Sequence, residues 1–208
     1  MSIIENLKWR YATKKFDPSK KVSGTDLATL KQAIQLSASS YGLQPYRVLV
    51  IEERVLREKL KAVSWDQSQI VDASQLIVFC NYLAVEDYHI DDYIRLKATA
   101  DSQPLESLKG YANFMKEKIQ EKTEAEISRW STNQAYLALG NLLTACSALQ
   151  IDACPMEGFE ADKYNEILGL NGKGLNACVV AAIGYRSALD DTQYSQKVRQ
   201  PIDSLFSI

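Results

Sequence analysis

The feature that most constrains the fold is a long apolar segment, AYLALGNLLTACSAL, at residues 135–149. Thr123 and Glu126 form a capping box ahead of it, so the sequence predicts one helix from Ala125 to about Leu149. The second half of this helix is apolar almost all round, whereas a surface helix keeps a polar face. It therefore needs either a large core around it or a partner chain, and small residues such as Ala138 would allow another helix to approach. We expect a dimer core.

The composition is that of a globular chain. With 208 residues, 46% hydrophobic and 24% charged, we expect a single domain over residues 1–208. The net charge of −2 provides no general attraction to nucleic acid or to anionic membranes, so any anion site must be local. No segment reaches the roughly 18 apolar residues of a membrane span, and the cysteines are scattered. We therefore expect a soluble, cytoplasmic protein with reduced thiols and no metal site.

Short apolar runs predict strands at residues 46–51, 76–80 and 177–184, mixed irregularly with helices. This order favours an α+β fold over a regular βαβ series. The segment from about 84 to 122 is polar with a weak apolar face, which indicates a peripheral helical excursion. A loop is predicted at Cys154–Gly158. The tail at about 186–208 is polar but ends in apolar residues, which need a surface to pack on.

Two familiar catalytic patterns are poorly supported. Gly172-x-Gly174-x-x-Ala177 has the letters of a dinucleotide fingerprint, but here a helix precedes it and a strand follows, the reverse of the required order. We interpret these glycines as a turn. His89 is the only histidine, so triad hydrolases and histidine metal sites lack their usual residues.

Two local cation clusters remain in this otherwise balanced chain. One contains Arg10 and Lys14, just after the first predicted helix, and the other contains Lys197 and Arg199. Each could converge on one anion, although such a run is more often a solvated face. The polar segment at 37–44 offers hydroxyl and amide groups that would suit a phosphate or a ribityl chain, or it is only a turn.

The motifs, taken together, resemble the FMN-dependent nitroreductase family, and most closely its oxygen-insensitive NAD(P)H nitroreductase and dihydropteridine reductase branch. They cover nearly the whole chain and are Arg10-Tyr-Ala-Thr-Lys14-x-Phe16-Asp17, Ser37-Ala-Ser-Ser40-x-x-x-Gln44-Pro45, Asp72-Ala-Ser74, Gln134-x-Tyr136-Leu137 with Gly140-Asn141-Leu142, Pro155-Met-Glu-Gly-Phe159 and Lys197-x-Arg199-x-Pro201. The resemblance implies an α+β fold whose central, mostly antiparallel sheet carries helices on both faces. It also implies an intertwined homodimer, with FMN sites between the subunits and the 186–208 tail packed on the partner.

The resemblance also implies the site residues. The cofactor-binding residues would be Arg10, Tyr11, Ala12, Lys14, Ser39, Gln44, Asp66, Gln69, Pro155, Met156, Glu157, Gly158, Lys197 and Arg199. Arg10, Lys197 and Arg199 would clamp the phosphate, with Ser39 and the Ala12 backbone nearby. Lys14 would lie at the N1/O2 pole of the flavin ring and the Glu157 N–H at N5, and these two are the catalytic candidates. Gln44 and the 65–69 loop would face the pyrimidine end of the ring.

Three departures from the branch affect this site. The branch often has His-Ser where this chain has Tyr11-Ala12, which removes a hydroxyl donor. Members commonly have Asn at the position of Asp66, and some have Lys at the position of Gln69, so one cation facing the flavin is missing here. These departures affect the redox potential more than the binding of FMN. Phe114, in the variable cover of the site, would be an aromatic wall for the substrate.

The leading hypothesis for function is an FMN-containing oxidoreductase with ping-pong kinetics. NADH or NADPH would reduce the flavin, and a small flat acceptor such as a nitroaromatic, a quinone or a dihydropteridine would then take the electrons. Because the cofactor carries this chemistry, no side-chain nucleophile is required. The alternatives are a dedicated flavin reductase of the same fold and a non-catalytic flavin-binding protein.

Overall fold

A four-stranded antiparallel sheet lies at the centre of the computed structural model, which describes residues 2–206. The strands are β1 (Tyr46–Ile51), β2 (Gln75–Tyr82), β3 (Asp152–Met156) and β4 (Leu175–Gly184), and their order in the sheet is β1-β2-β4-β3. The strands predicted at 46–51, 76–80 and 177–184 are confirmed. The structure begins β2 and β4 slightly earlier and ends β2 slightly later.

The predicted loop at Cys154–Gly158 is wrong in its first half, because Cys154 to Met156 belong to β3. Pro155 cannot donate a ladder hydrogen bond, so it argues against a strand except at an edge. In the order of named strands β3 is such an edge, paired only with β4. A single parallel bridge joins Ala12 to Ala153 of β3, which brings the N-terminal segment beside this strand.

The helices within residues 2–206 are α1 (Ile3–Trp9), α2 (Gly24–Gln35), α3 (Arg54–Ala62), α4 (Gln69–Asp72), α5 (Asp87–Ala100), α6 (Lys109–Gln120), α7 (Glu124–Ala148), α8 (Ala161–Ile167) and α9 (Ile202–Leu205). The long helix predicted from Ala125 is confirmed as α7, and so is its capping box. The Glu126 N–H donates to Thr123 Oγ1 at 3.3 Å, and the Thr123 N–H donates to Glu126 Oε2 at 2.8 Å. No helix in this part of the chain is long and apolar enough to cross a membrane.

Helices cover both faces of the sheet. Alternate strand residues point to opposite faces, so Ile77 and Phe79 of β2 join a core with α2 and α7, while Leu76 and Val78 join a second core that includes residues of α3, α4 and α8. Helices α5 and α6 pack their apolar residues into a third cluster. The predicted α+β class, with helices on both faces of an antiparallel sheet, is confirmed.

One part of the α7 prediction is corrected. Ala138 and Leu142 are fully buried in the core of their own chain, so Ala138 does not offer an approach to a helix of a partner chain. The large apolar side chains of α7 that stay exposed are Leu137, which is 53% exposed, and Tyr136, which is 37% exposed. The all-round apolar pattern does not tell which face packs on the sheet, and only the fold supplies that information.

Candidate active site

A cavity of about 650 Å³ lies where the end of α1 meets the C-terminal segment. It is lined by residues 8–12 on one side and by residues between 192 and 199 on the other. Five residues predicted for the cofactor site line it together: Arg10, Tyr11, Ala12, Lys197 and Arg199. The two cation clusters, which are remote in sequence, therefore share one cavity.

The cations in this cavity are close enough to repel one another. Burial lowers the pKa of Arg10, and the charge of Arg199 lowers it further. The pKa of Lys197 is lowered by burial and by both arginines. The guanidinium groups nevertheless stay protonated at neutral pH, so the cavity holds several positive charges. An anion bound between them would relieve this repulsion.

The donors in the cavity also suit a phosphate group. Arg10 Nε is buried and has no hydrogen-bond partner among residues 2–206, and an unsatisfied buried donor costs about 1 to 3 kcal/mol. Lys197 Nζ donates to the carbonyls of Leu7, at 2.6 Å, and of Arg10, which anchors the tail to the end of α1. Guanidinium and ammonium groups are the donors that proteins use for phosphate oxygens. The residues present therefore fit the phosphate end of FMN.

Asp190 fixes the segment that carries Lys14. Its carboxylate is 1% exposed, and Oδ2 accepts from the N–H of Lys14 at 2.8 Å, the Tyr11 hydroxyl at 2.9 Å and the N–H of Lys15 at 3.2 Å. Burial raises the pKa of Asp190, but these hydrogen bonds outweigh it, and the pKa lies below its ordinary value. The Tyr11 hydroxyl thus binds a protein carboxylate. The charge network at Asp190 was not found from sequence, since no local motif marks it.

We expect Asp190→Asn to lower the free energy of unfolding at pH 7 by about 1 to 3 kcal/mol, because buried N–H and O–H donors lose a charged acceptor. A carboxyl with a lowered folded-state pKa stabilises the fold above its unfolded pKa, which is about 3.9. That contribution is lost as the pH falls through the folded-state pKa. Urea unfolding at pH 7 and at lower pH should show the difference between variant and wild type shrinking in acid.

Asp191→Asn is the matched control for that measurement, because Asp191 is the exposed neighbour. An Asp190→Asn variant as stable at pH 7 as the control would contradict this role of the carboxylate.

The end of β3 is locked to the turn that precedes α4. A Cβ added at Gly158 would lie 2.5 Å from the ring of Trp65, so the glycine allows this close packing. The Gln67 amide donates to the Gly158 carbonyl at 2.8 Å. Trp65 and Asp66 both adopt a positive φ of 53°, which is uncommon for residues other than glycine. The turn with Asp66 and the loop with Gly158 therefore form one braced unit.

The other residues predicted to contact the flavin near the end of β3 differ in how deeply they are buried. Glu157 is exposed, and its carboxylate accepts from the Tyr136 hydroxyl of α7. Met156 is buried, and its side chain belongs to the second core, the one that includes residues of α3, α4 and α8. Gln69, at the start of α4, is also buried.

Lys14 lies on the same side as this loop. It is exposed, and it follows Ala12, whose parallel bridge to Ala153 directs the N-terminal segment along β3. The charge of Lys14 acts on the Cys154 thiol, where it opposes the larger effect of burial on the pKa of that thiol. The ammonium group is therefore near the strand that leads into Pro155 and Glu157.

Ser39, Gln44 and Phe114 form a separate group that does not line the cavity. Ser39 Oγ accepts from the Gln44 N–H at 2.9 Å, and the Gln44 amide donates to the Gln35 carbonyl at 2.7 Å. Gln134 of α7 holds this loop by accepting from the Ser40 N–H at 2.8 Å. Phe114 of α6 is 44% exposed and packs edge-on against Tyr41 of the same loop, with ring centroids 6.4 Å apart. The described chain thus brings the predicted residues together in three groups: the cavity, the loop after β3 with the turn before α4, and this separate group.

The fold is α+β, and it contains a cation-lined cavity whose donors suit a phosphate group. Residues 7–185 match the model of the Nitroreductase family, and the chain belongs to that family. Its relatives include the major NAD(P)H-flavin oxidoreductase of Aliivibrio fischeri, 37% identical over 99% of this chain and 98% of that protein. A Staphylococcus haemolyticus protein assigned as an NAD(P)H nitroreductase is 36% identical over 98% of this chain and 95% of its own length.

Solved structures confirm the fold. A nitroreductase family protein of Streptococcus pneumoniae matches with a TM-score of 0.85 and 21% identity, over 100% of both chains. A protein of Exiguobacterium sibiricum, solved in complex with FMN, matches with a TM-score of 0.86 and 19% identity, over 100% of this chain and 97% of that one. The family, the fold class and the oxidoreductase class predicted from the sequence are confirmed.

Proposed function

We propose that the protein is an FMN-dependent NAD(P)H oxidoreductase that reduces small flat acceptors, such as nitroaromatics, quinones or dihydropteridines, by ping-pong kinetics. The observation that carries the proposal is the cavity lined by Arg10, Lys197 and Arg199, where the buried Arg10 Nε has no hydrogen-bond partner among residues 2–206. The enzyme uses FMN as its resident cofactor and NAD(P)H as its electron donor. The chemistry that FMN supplies when bound is two-electron transfer from the nicotinamide to the acceptor.

The protein groups place and polarise the cofactor. Arg10 and Arg199 bind the phosphate, while Lys197 ties the tail to α1 and adds its charge. Lys14, held by Asp190, provides a positive charge at the N1/O2 pole of the ring. The loop at Glu157 and Gly158, braced by Gln67, would lie along the flavin edge, and the Glu157 N–H would be the donor to N5.

A second copy of the chain completes the proposed site. Ser39, Gln44 and Phe114 lie outside the cavity, and we infer that the partner subunit supplies them to the phosphate, the pyrimidine end and the substrate wall. The homodimer also covers apolar residues left open on a single chain, such as Ile3, Leu137 and Phe206. The 186–208 tail would pack on the partner, although residues 207 and 208 lie outside the described part. The single domain and the cytoplasmic location remain part of this proposal.

A dedicated flavin reductase is the second candidate. The name of the Aliivibrio fischeri relative, an NAD(P)H-flavin oxidoreductase, favours it. The two candidates share the cavity and the reductive half of the reaction. They differ in whether free flavin or another aromatic molecule is the better acceptor at saturating NAD(P)H, which steady-state assays compare directly.

The phosphate assignment is tested by replacing Arg199 with alanine. Loss of one charge-assisted hydrogen bond, on the order of 2 kcal/mol, should weaken FMN binding about 30-fold while the fold is retained. Titration of the apoprotein with FMN, followed by flavin fluorescence, measures the change. Arg54→Ala removes an arginine whose ion pair with Glu58 on α3 is exposed, and it should leave the affinity unchanged. Equal affinities in the two variants would refute the phosphate clamp.

A further inference from the structure

The Tyr136 hydroxyl is the group of α7 that reaches the proposed flavin edge. It donates to the Glu157 carboxylate directly after the end of β3. Burial raises the pKa of Tyr136, and the hydrogen bond and the charge of Glu157 raise it further. The hydroxyl therefore remains protonated at neutral pH and acts as a donor to an ionised acceptor.

This hydrogen bond connects an exposed loop to a helix that is packed on the sheet. The helix neighbours of Tyr136, Ala135 and Ala138, are fully buried in the core with the sheet. Glu157, in contrast, is exposed and lies outside the strand ladder. A side chain on a packed helix can fix the position of a loop more precisely than contacts within the loop alone.

The peptide between Glu157 and Gly158 is consequently held from two sides. On one side Tyr136 binds the Glu157 carboxylate, and on the other Gln67 donates to the Gly158 carbonyl while Trp65 packs against the Gly158 backbone. These contacts restrict the backbone at Glu157 and Gly158, and the end of β3 at Met156 holds the chain just before them. The Glu157 carbonyl also accepts from the Phe159 N–H at 2.9 Å, and Tyr136 adds the contact that holds the Glu157 side chain.

We propose that Tyr136 is a positioning residue, which orients the Glu157 backbone N–H toward N5 of the flavin by donating its own hydroxyl to the Glu157 carboxylate. This inference rests on the proposed function. It gives the Glu157 side chain a role in the geometry of the reactive edge without contact between that side chain and the substrate.

The most direct test uses FMN labelled with ¹⁵N at N5, bound to the wild-type protein and to Tyr136→Phe. The chemical shift of N5 reports hydrogen bonding to that atom, whatever the rate of turnover. In Tyr136→Phe we expect it to move toward the value of FMN in water without an N5 donor from the protein. Tyr88→Phe, which removes an exposed hydroxyl on α5, should leave the shift at the wild-type value.

Kinetics provide the second measurement, by stopped-flow reduction with NADPH. Loss of a hydrogen bond to a charged group should slow flavin reduction about tenfold in Tyr136→Phe, and similarly in Glu157→Ala. Because both changes break one link, the double variant should be no slower than the slower single variant. Glu157→Gln keeps an acceptor oxygen for Tyr136 and should retain more of the rate than Glu157→Ala.

An N5 chemical shift in Tyr136→Phe equal to that of wild type would overturn the inference. It would also be overturned if the rate reductions of Tyr136→Phe and Glu157→Ala multiplied in the double variant. A lower unfolding midpoint with an unchanged N5 shift would also overturn it, since Tyr136 would then be only a structural brace. These failures differ from failure of the proposed function, in which the wild-type protein itself would bind no FMN.

Discussion

Replacing Lys14 by methionine should slow reduction of the flavin by NAD(P)H about 30-fold to 1000-fold, which corresponds to roughly 2 to 4 kcal/mol of lost electrostatic stabilisation. Negative charge develops at the N1/O2 pole of the ring as it is reduced, and a cation fixed there in advance lowers the barrier. Asp190 Oδ2 accepts from the backbone N–H of Lys14 at 2.8 Å, so the fold fixes the backbone from which this side chain extends. With glutamine at position 69, Lys14 is the one cation that we propose beside the ring.

Lys15→Met is the matched control, because Lys15 is the adjacent exposed lysine and is bound to Asp190 through its backbone N–H in the same way. It should reduce at nearly the wild-type rate. Lys14→Arg should keep more of the rate than Lys14→Met, since the charge survives although the shape differs. Stopped-flow bleaching, with equal FMN occupancy confirmed first, compares all three variants. A Lys14→Met variant that reduces as fast as the control would show that the ammonium group is not near the ring.

Replacing Leu137 by glutamate should abolish the dimer. Leu137 is an open apolar position of α7, and a charge buried in an interface without a partner costs several kcal/mol. Light scattering should give twice the chain mass of 23.4 kDa for wild type and a mass near 23.4 kDa for the variant. The variant should also lose FMN, because we assign Ser39 and Gln44 of each site to the partner subunit.

The control for Leu137→Glu is Val55→Glu, since Val55 is an exposed apolar residue of α3, on the other face of the sheet. That variant should remain dimeric and yellow. Ala138→Glu and Leu142→Glu would place a charge in the core of a single chain and should prevent folding, so they cannot report on the interface. A folded, flavin-containing wild-type protein with the mass of one chain would rule out the shared site.

Local patterns were sufficient to predict most of the fold. The capping box of Thr123 and Glu126 and the apolar run of β1 are features of neighbouring residues, and both are confirmed. Strand β3 was missed because Pro155 signals a turn unless its place at a sheet edge is known. The orientation of α7 was also missed, because the sequence of a helix that is apolar all round does not show which face is buried.

The candidate site was predictable only where charge is concentrated in sequence. Arg10 and Lys197 belong to visible clusters, and the fold brings both to one cavity. Asp190 is bound by residues about 180 positions earlier in the chain, and Tyr136 meets Glu157 across two elements. Such contacts depend on the tertiary structure, and no spacing in the sequence indicates them.

The central claim is that this protein holds FMN and passes electrons from NAD(P)H through it. The most direct measurement is the visible spectrum of the purified protein under argon during titration with NADPH and with NADH, followed by identification of the cofactor released by heat. We predict a yellow protein that one or both nucleotides bleach, and FMN in the released fraction. A protein without flavin, a protein that releases FAD, or a bound flavin that neither nucleotide reduces would contradict it.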